Sequence, residues 1–190
     1  MTTKTQKGFS LGELLVVLAI FIIVVVAIFT FHLMIQRGYW EGESAAEITQ
    51  NGRVILERIT REIRQAREIV TELPDALDSE VPPTAVSAIE FEDGHRSEFY
   101  YYIHYFKEDN EIKKEVKRYY FSSNPSDFLP WNATSSEEDL SSVIIEGPDV
   151  IGEYVSNLSF WGSSIINVFL RLEKDGKEVN FKTKIFGRNL

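Results

Sequence analysis

The stretch that decides the fold is KTQKGFSLGE at residues 4–13, because it leads directly into an uninterrupted apolar run at residues 14–29. About 20 apolar residues are enough for a helix to span a bilayer. One carboxylate, Glu13, stands at the start of this run, where an ionised side chain is costly unless another group pairs with it. The sequence therefore predicts a membrane helix that carries an acidic residue in need of a partner.

The apolar run is too long for an ordinary secretory signal, whose apolar core has about 7–15 residues followed by a small-residue cleavage site. The residues that follow it here, FHLMIQR at 31–37, contain no such site. Lys4 and Lys7 precede the run, and the positive-inside rule then places the N-terminus in the cytoplasm and the rest of the chain on the other side of the membrane. These features predict a single-pass membrane protein.

A basic leader, then Gly8, Phe9 and Glu13 before an apolar helix, resembles the precursors of the type IV filament superfamily, the type IV pilins and the pseudopilins of type II secretion. The resemblance implies a class III leader peptide at residues 1–8, which prepilin peptidase removes by cutting between Gly8 and Phe9. It also implies N-methylation of the new amine of Phe9. Other pilins or pseudopilins, an assembly platform and an ATPase are then the expected partners. The resemblance also implies an inner (cytoplasmic) membrane location, with the C-terminal domain in the periplasm or outside the cell, followed by assembly into a filament.

The same resemblance implies a role for Glu13 as the assembly salt bridge, made with the positive N-terminus of a neighbouring subunit. Each charge alone would be costly in a water-poor bundle of helices, whereas the pair is tolerated. A single polar contact of this kind helps to set the register between helices, as it does in coiled coils. Glu13 is therefore the predicted site of assembly.

The chain after the apolar run is acidic. Residues 37–190 hold 28 Asp and Glu (29 in all less Glu13) and 18 Lys and Arg (20 in all less Lys4 and Lys7), a net charge of −10. This charge lacks the positive footprint of nucleic-acid binding, so no nucleic acid is expected as a partner. The chain has no cysteine. Because many major pilins close a C-terminal loop with a disulfide, the resemblance favours a minor subunit.

A helical pattern continues beyond the membrane run, and no proline precedes Pro74. Apolar residues recur with helical spacing on one face, at Ile48, Ile55, Ile59, Ile63, Ala66 and Val70, with Leu56 beside them. Two pairs on the polar face have the i,i+4 spacing of helical ion pairs, Glu57–Arg61 and Arg58–Glu62. One helix is therefore predicted from about residue 9 to residue 70, with a transmembrane and assembly part at 9–36 and an amphipathic part at 37–70.

Alternating apolar residues and turn sequences predict a globular β-rich domain at residues 71–190. Strands are predicted at 88–92, 98–106 and 111–121, and large residues on both faces of the second suit a central strand. A hairpin is predicted around Asp175-Gly176. Residues 122–142 are predicted to form a polar loop, a candidate contact or variable region. The predicted fold class is α+β, a long N-terminal α-helix packed on a C-terminal antiparallel β-sheet domain, as the resemblance to pilins implies.

Two looser likenesses concern the subclass. Residues 56–66 of the helix and the closing residues 181–189 resemble J-type pseudopilins and the related large minor pilins. The resemblance implies a minor pilin or pseudopilin in the tip or priming complex of a type IV pilus or a type II secretion pseudopilus. A major pilin and a permanently membrane-anchored extracellular binding module are the alternatives.

No catalytic, cofactor-binding or metal site is predicted, and the chain is not expected to be an enzyme. Without cysteine, and with only His32, His95 and His104, nucleophile–base pairs and zinc sites are poorly supplied. His104 is expected to pack within the aromatic strand. The acidic residues at 137–139 lack the alternating spacing of a calcium loop and are predicted to be solvated.

Overall fold

A computed structural model of the chain describes residues 10–75, 80–96, 100–136 and 138–187, with the side chain of Glu41 left aside. The chain divides into two units, Met1–Glu43 and Ser44–Leu190. Among the described residues, the first secondary-structure element is the helix α1 (Leu11–Gln65), and the other elements are strands. This layout, one long apolar helix at the N-terminus and antiparallel strands after it, confirms the predicted α+β class.

In the first unit the helix buries almost nothing. The large apolar side chains of α1 up to Trp40 are exposed, from 41% for Leu33 to 80% for Leu11. Within the described residues α1 is also the one helix that is long and apolar enough to cross a membrane, with a mean hydropathy of 3.4 over its most apolar 18 residues. An apolar surface this large on a single helix requires lipid or other proteins to cover it.

The helix ends at Gln65 rather than at Val70, where the helical spacing placed its end. The next residues leave the helix because their backbone bonds to a strand instead. The amides of Arg67 and Val70 donate to the carbonyls of Glu92 and Glu90, at 3.1 and 2.8 Å. Tertiary pairing therefore overrides the helical pattern of the sequence in its last turn.

The described part of the second unit contains eight strands: β1 (Ala88–Glu92), β2 (Tyr102–Glu108), β3 (Glu111–Phe121), β4 (Phe128–Leu129), β5 (Leu140–Gly152), β6 (Val155–Trp161), β7 (Ile165–Lys174) and β8 (Lys177–Phe186). One antiparallel sheet has the order β1-β2-β3-β4, with β5 also paired to β3. The second antiparallel sheet has the order β6-β7-β8. The predicted central strand is confirmed, since β2 lies between β1 and β3.

The core of the second unit lies between α1 and the two sheets. The predicted apolar row on the helix is buried at Ile48, Ile55, Ile59, Ile63 and Ala66. The sheets contribute large buried side chains, among them Tyr102, Tyr105, Phe91, Phe160 and Trp161. Glycine brings the helix close to both sheets. A Cβ at Gly52 would lie 2.2 Å from Phe181 on β8, and a Cβ at Gly152 on β5 would lie 2.1 Å from Ile55.

Several strand boundaries differ from those predicted. The segment 122–142 is not wholly a loop, because Phe128–Leu129 pairs with Tyr119 and Tyr120, and β5 already begins at Leu140. The strand predicted at 98–106 is described from residue 100 onward and runs as β2 from Tyr102 to Glu108. The predictions at Ala88–Glu92 and Glu111–Phe121 and the final hairpin are confirmed. The strands β5 and β6 were not predicted.

Candidate functional site

The start of α1 holds the predicted assembly residue, Glu13. Gly8 and Phe9, the predicted cleavage and methylation residues, lie outside the described residues. The backbone amide and the hydroxyl of Ser10 both donate to Oε2 of Glu13, at 2.9 and 3.2 Å. In return, the amide of Glu13 donates to the hydroxyl of Ser10 at 3.3 Å. Ser10 and Glu13 thus satisfy each other's groups at the first turn.

This reciprocal arrangement is a capping box, in which Ser at the N-cap and Glu three residues later bond to each other's amides. It places a carboxylate at the positive end of the helix macrodipole, which is favourable. The sequence reading missed it, although the S-x-x-E spacing at Ser10 was a usable signal. Glu13 therefore has a local role in starting the helix, in addition to any role in assembly.

Charged side chains join the helix to β7 near Glu47. Nζ of Lys174 lies 2.6 Å from Oε2 of Glu47 and 3.1 Å from the hydroxyl of Tyr154. The hydrogen bond from Lys174 lowers the pKa of the Glu47 carboxyl. The bonds to Glu47 and Tyr154 raise the pKa of the Lys174 ammonium. These contacts attach the helix to the β7–β8 hairpin.

A second network joins the helix to the larger sheet. The hydroxyl of Tyr105 donates to Oε2 of Glu62 at 2.6 Å, and Nζ of Lys114 donates to Oε1 of Glu62 at 2.9 Å. The predicted pair of Arg58 and Glu62 is present at 3.7 Å. Burial raises the pKa of the Tyr105 hydroxyl, and the Glu62 carboxylate acts in the same direction. Glu62 is therefore a structural residue that holds the helix on β2 and β3.

The opposite face of the larger sheet carries a further cluster of charges. Buried Glu90 accepts a hydrogen bond from the hydroxyl of Tyr119 at 2.5 Å and lies 2.8 Å from Nζ of Lys117. Nδ1 of His104 lies 2.9 Å from Oε1 of Glu115, and the imidazole stacks on Phe106 with a centroid distance of 4.9 Å. His104 thus packs in the sheet as expected, and this cluster serves cross-strand pairing.

The other candidate residues have ordinary surroundings. The amide of His95 donates to Oδ1 of Asp93 at 2.9 Å in the turn after β1. His32 is exposed in the apolar part of α1. Glu138 accepts a hydrogen bond from the amide of Ser123 at 2.9 Å, so this acid holds the loop closed. Among the described side chains, no group of three or more His, Asp or Glu residues is placed to hold a metal ion.

One comparison with known proteins finds a match, and it covers the start of the chain. Residues 3–29 match the model of the family described as "Prokaryotic N-terminal methylation motif". The matched residues include the Ser10–Glu13 capping box and most of the exposed apolar helix. No curated protein and no solved structure matches the chain. The match supports a precursor with a prepilin-type signal, of the type IV pilin or pseudopilin kind, that is anchored in the membrane by one helix.

Proposed function

We propose that this chain is a structural subunit of a type IV pilus or a type II secretion pseudopilus, acting in its tip or priming complex. The observation that carries the proposal is the methylation motif at residues 3–29, which overlaps a helix whose large apolar side chains are exposed. A permanently anchored binding module needs the apolar helix but does not need the motif. The pilin-like subunit needs both.

The proposed maturation has two steps. Prepilin peptidase hydrolyses the peptide bond between Gly8 and Phe9, which releases residues 1–8 and leaves a free amine on Phe9. A methyl group is then transferred from a sulfonium methyl donor to the neutral amine, which breaks the sulfur–methyl bond and releases a proton. The resulting secondary amine takes up a proton at neutral pH and is positively charged. The N-terminus is on the cytoplasmic side in this scheme, and the second unit, Ser44–Leu190, is on the opposite side of the membrane.

The proposed role of Glu13 is to pair with the amine of Phe9 on a neighbouring subunit. The capping box leaves room for this role, because both contacts from Ser10 reach the same oxygen, Oε2. The other oxygen, Oε1, is then available to a further donor. In the membrane interior a paired carboxylate is favoured over a free one, so the pairing would draw subunits together in one register.

The finer assignment rests on the resemblance of residues 56–66 and 181–189 to J-type pseudopilins and large minor pilins. Assembly then requires other pilin-like subunits, a platform protein and an ATPase. The absence of cysteine from the whole sequence supports a minor rather than a major subunit.

The first experiment tests processing. The full chain is expressed in bacteria with and without prepilin peptidase, and its N-terminus is determined by mass spectrometry. We expect a chain that begins with N-methylated Phe9 when the peptidase is present and an intact chain when it is absent. An intact N-terminus in both strains would rule out the filament subunit and leave the anchored module.

The second experiment separates the charge of Glu13 from its capping role. Glu13→Gln keeps a side chain that can complete the capping box but removes the charge, since Gln also serves at this position. Ser10→Ala removes the cap and keeps the charge. We expect Glu13→Gln to insert and be processed normally but to enter filaments poorly, whereas Ser10→Ala enters them almost as well as the unmodified chain. Normal incorporation of Glu13→Gln would show that no charge pairing is needed.

A further inference from the structure

Two long strands in the second unit have an open edge, and they flank the helix on opposite sides. Among the described residues, β5 pairs only with β3 and β8 pairs only with β7. The outer edge of β1 is covered by residues 67–71, and the edge of β6 is covered at Val86. An open strand edge is a ready template for contact with another chain.

Different sides of the helix lie next to these two edges, and each side is called a flank below. Asn51 lies on one flank and donates to the carbonyl of Glu153, just after β5, at 3.0 Å. Leu56, Thr60 and Arg64 lie on the other flank, where they line a groove with Lys182 of β8. Successive residues turn by about 100° around a helix, which separates Asn51 from Thr60 by about half a turn. The buried row of the helix lies between the two flanks.

The groove beside β8 is cationic. Its volume is about 620 Å³, within the range of about 300–1,000 Å³ that binding clefts occupy. Arg61, Arg64 and Lys182 line it, together with the apolar side chain of Leu56 and one acid, Glu57. We call these residues the cationic groove. All three cations are exposed to solvent.

The cations of the groove differ from most others in the second unit. Eight Lys and Arg side chains elsewhere in the described residues form ion pairs: Arg58, Arg67, Arg96, Lys113, Lys114, Lys117, Arg171 and Lys174. No described carboxylate lies within 4.0 Å of the cationic groups of Arg61, Arg64 or Lys182, even though Glu57 has the spacing to pair with Arg61. Nζ of Lys182 lies 5.1 Å from the centroid of the Trp161 ring, so its described contact is with an aromatic ring and not with a carboxylate. In a chain whose residues 37–190 carry a net charge of −10, a groove whose cations form no described ion pair favours an acidic partner.

The open edge of β5, on the other side of the helix, is acidic and so has the opposite charge to the cationic groove. Asp149 and Glu153 are exposed there, and no described cation forms an ion pair with either. Between them Val150 exposes 48% of its surface, and Val143, Ile144 and Ile145 on the same strand are exposed as well. We call Asp149, Val150 and Glu153 the acidic flank. Consecutive exposed apolar residues on an open edge strand indicate an interface.

We propose that the cationic groove of one copy of this chain receives the acidic flank of a second copy. Asp149 and Glu153 would then face Arg61, Arg64 and Lys182, and Val150 would meet Leu56. The contact joins two different surfaces that lie on opposite sides of the same helix. It is therefore a heterologous contact and not a two-fold symmetric one.

This inference rests on the proposed function, because the membrane helix and its filament bring the copies side by side at high effective concentration. It adds that at least two copies are neighbours in the assembly. Exposed ion pairs contribute little each, so the charges select the partner surface and its register more than they determine affinity. The apolar contact and the assembly of the membrane helices supply the rest.

Disulfide cross-linking tests the proposal cleanly, because the chain has no cysteine of its own. Full-length Arg64→Cys and Asp149→Cys chains with different tags are co-expressed with prepilin peptidase and the assembly machinery, and the membranes are oxidised mildly. We expect a dimer that carries both tags. The matched control replaces Asp149→Cys with Asn132→Cys, an exposed position after β4 that lies on neither surface, and should give no dimer.

Each outcome decides a different point. A dimer formed by either single variant alone would show a symmetric contact and overturn the proposal. No dimer in the co-expression, with a methylated Phe9 at the N-terminus, would also overturn it and would leave the proposed function standing. A chain that still begins at Met1 would overturn the proposed function and the inference together.

Charge reversal then tests the pairing itself. Adding Arg61→Glu to the Arg64→Cys chain should lower the cross-linked fraction by at least about fivefold, because like charges across an interface repel. Adding Glu153→Lys to the Asp149→Cys chain as well should restore most of it. A fraction that stays unchanged after the single reversal would show that these charges do not recognise each other and would overturn the proposal.

Discussion

The two parts of α1 differ in what covers them, although both belong to one regular helix. Up to Trp40 the large apolar side chains are exposed around the whole circumference, whereas from Ile48 onward a single row of apolar residues is fully buried. A helix that is apolar all round suits lipid or a bundle of helices, and a helix with one apolar stripe suits the surface of a sheet. The first part therefore needs partners outside the chain, and the second finds its partner within it.

The largest expected difference between these parts is in their response to truncation of an isoleucine. Ile59→Ala should lower the free energy of unfolding of the second unit by about 2–5 kcal/mol, because it opens a cavity in a packed core. Ile22→Ala makes the same chemical change on the exposed part, where Ile22 is 53% exposed, and should leave that unfolding unchanged. Urea unfolding of the full chain in detergent, followed by near-ultraviolet circular dichroism, measures both.

Equal losses from the two variants would contradict the division of the helix. The aromatic signal reports on the second unit because Trp161, Tyr102 and Tyr105 are fully buried there.

A smaller effect is expected from glycine, in a pair of substitutions within the same helix. Gly52→Ala places a Cβ 2.2 Å from the ring of Phe181, so the ring must shift, and overpacking of this kind costs about 1–3 kcal/mol. Gly38→Ala meets no atom within 4 Å and improves the local helix propensity. We expect the unfolding midpoint to fall for Gly52→Ala and not to fall for Gly38→Ala. A stabilised Gly52→Ala would show that Phe181 does not hold its position against the helix.

These positions also show how much of the fold the sequence could predict. Period and turn chemistry are local signals, so the buried helical row and the hairpin at Asp175-Gly176 were predicted correctly. The end of the helix at Gln65 depends on pairing with β1, which is distant in sequence. In β5 the apolar residues Val143, Ile144 and Ile145 are consecutive and do not alternate with polar residues. The strand is also irregular, since its pairing with β3 has register shifts. A period-2 search does not find such a strand.

The candidate functional residues also include some that the sequence could predict and some that it could not. Glu13 stood out in the sequence because one carboxylate at the start of an apolar run is unusual, and its partner Ser10 follows from the spacing of a capping box. The absence of a described ion pair at Arg61, Arg64 and Lys182 could not be predicted. The i,i+4 rule paired Arg61 with Glu57, whereas only the pair of Arg58 and Glu62 forms. Which charges stay unpaired is decided by the sheet that the helix packs against.

The smallest expected effect concerns pH and is confined to the second unit. Burial raises the pKa of Tyr102 to about 12, with Glu92 and Glu68 acting in the same direction and the hydrogen bond from the amide of Trp131 acting against them. An unfolded chain ionises tyrosine near pH 10. Between about pH 10 and 12 the unfolded state therefore binds fewer protons than the folded state, and stability falls as the pH rises.

Measuring the free energy of unfolding from pH 9 to about pH 12 in the full chain and in Tyr102→Phe isolates this contribution. The variant starts from a lower stability, because the amide of Trp131 loses its acceptor at 3.0 Å. Its stability should nevertheless fall less steeply with pH. Burial raises the pKa of three tyrosines in the full chain, and only two of them, Tyr105 and Tyr119, remain in the variant. Tyr39→Phe, on the exposed part of the helix, is the matched control, because it removes a tyrosine hydroxyl outside the second unit. Parallel slopes for the full chain and Tyr102→Phe would show that the Tyr102 hydroxyl is hydrated in the folded second unit, which would contradict its complete burial in the structure.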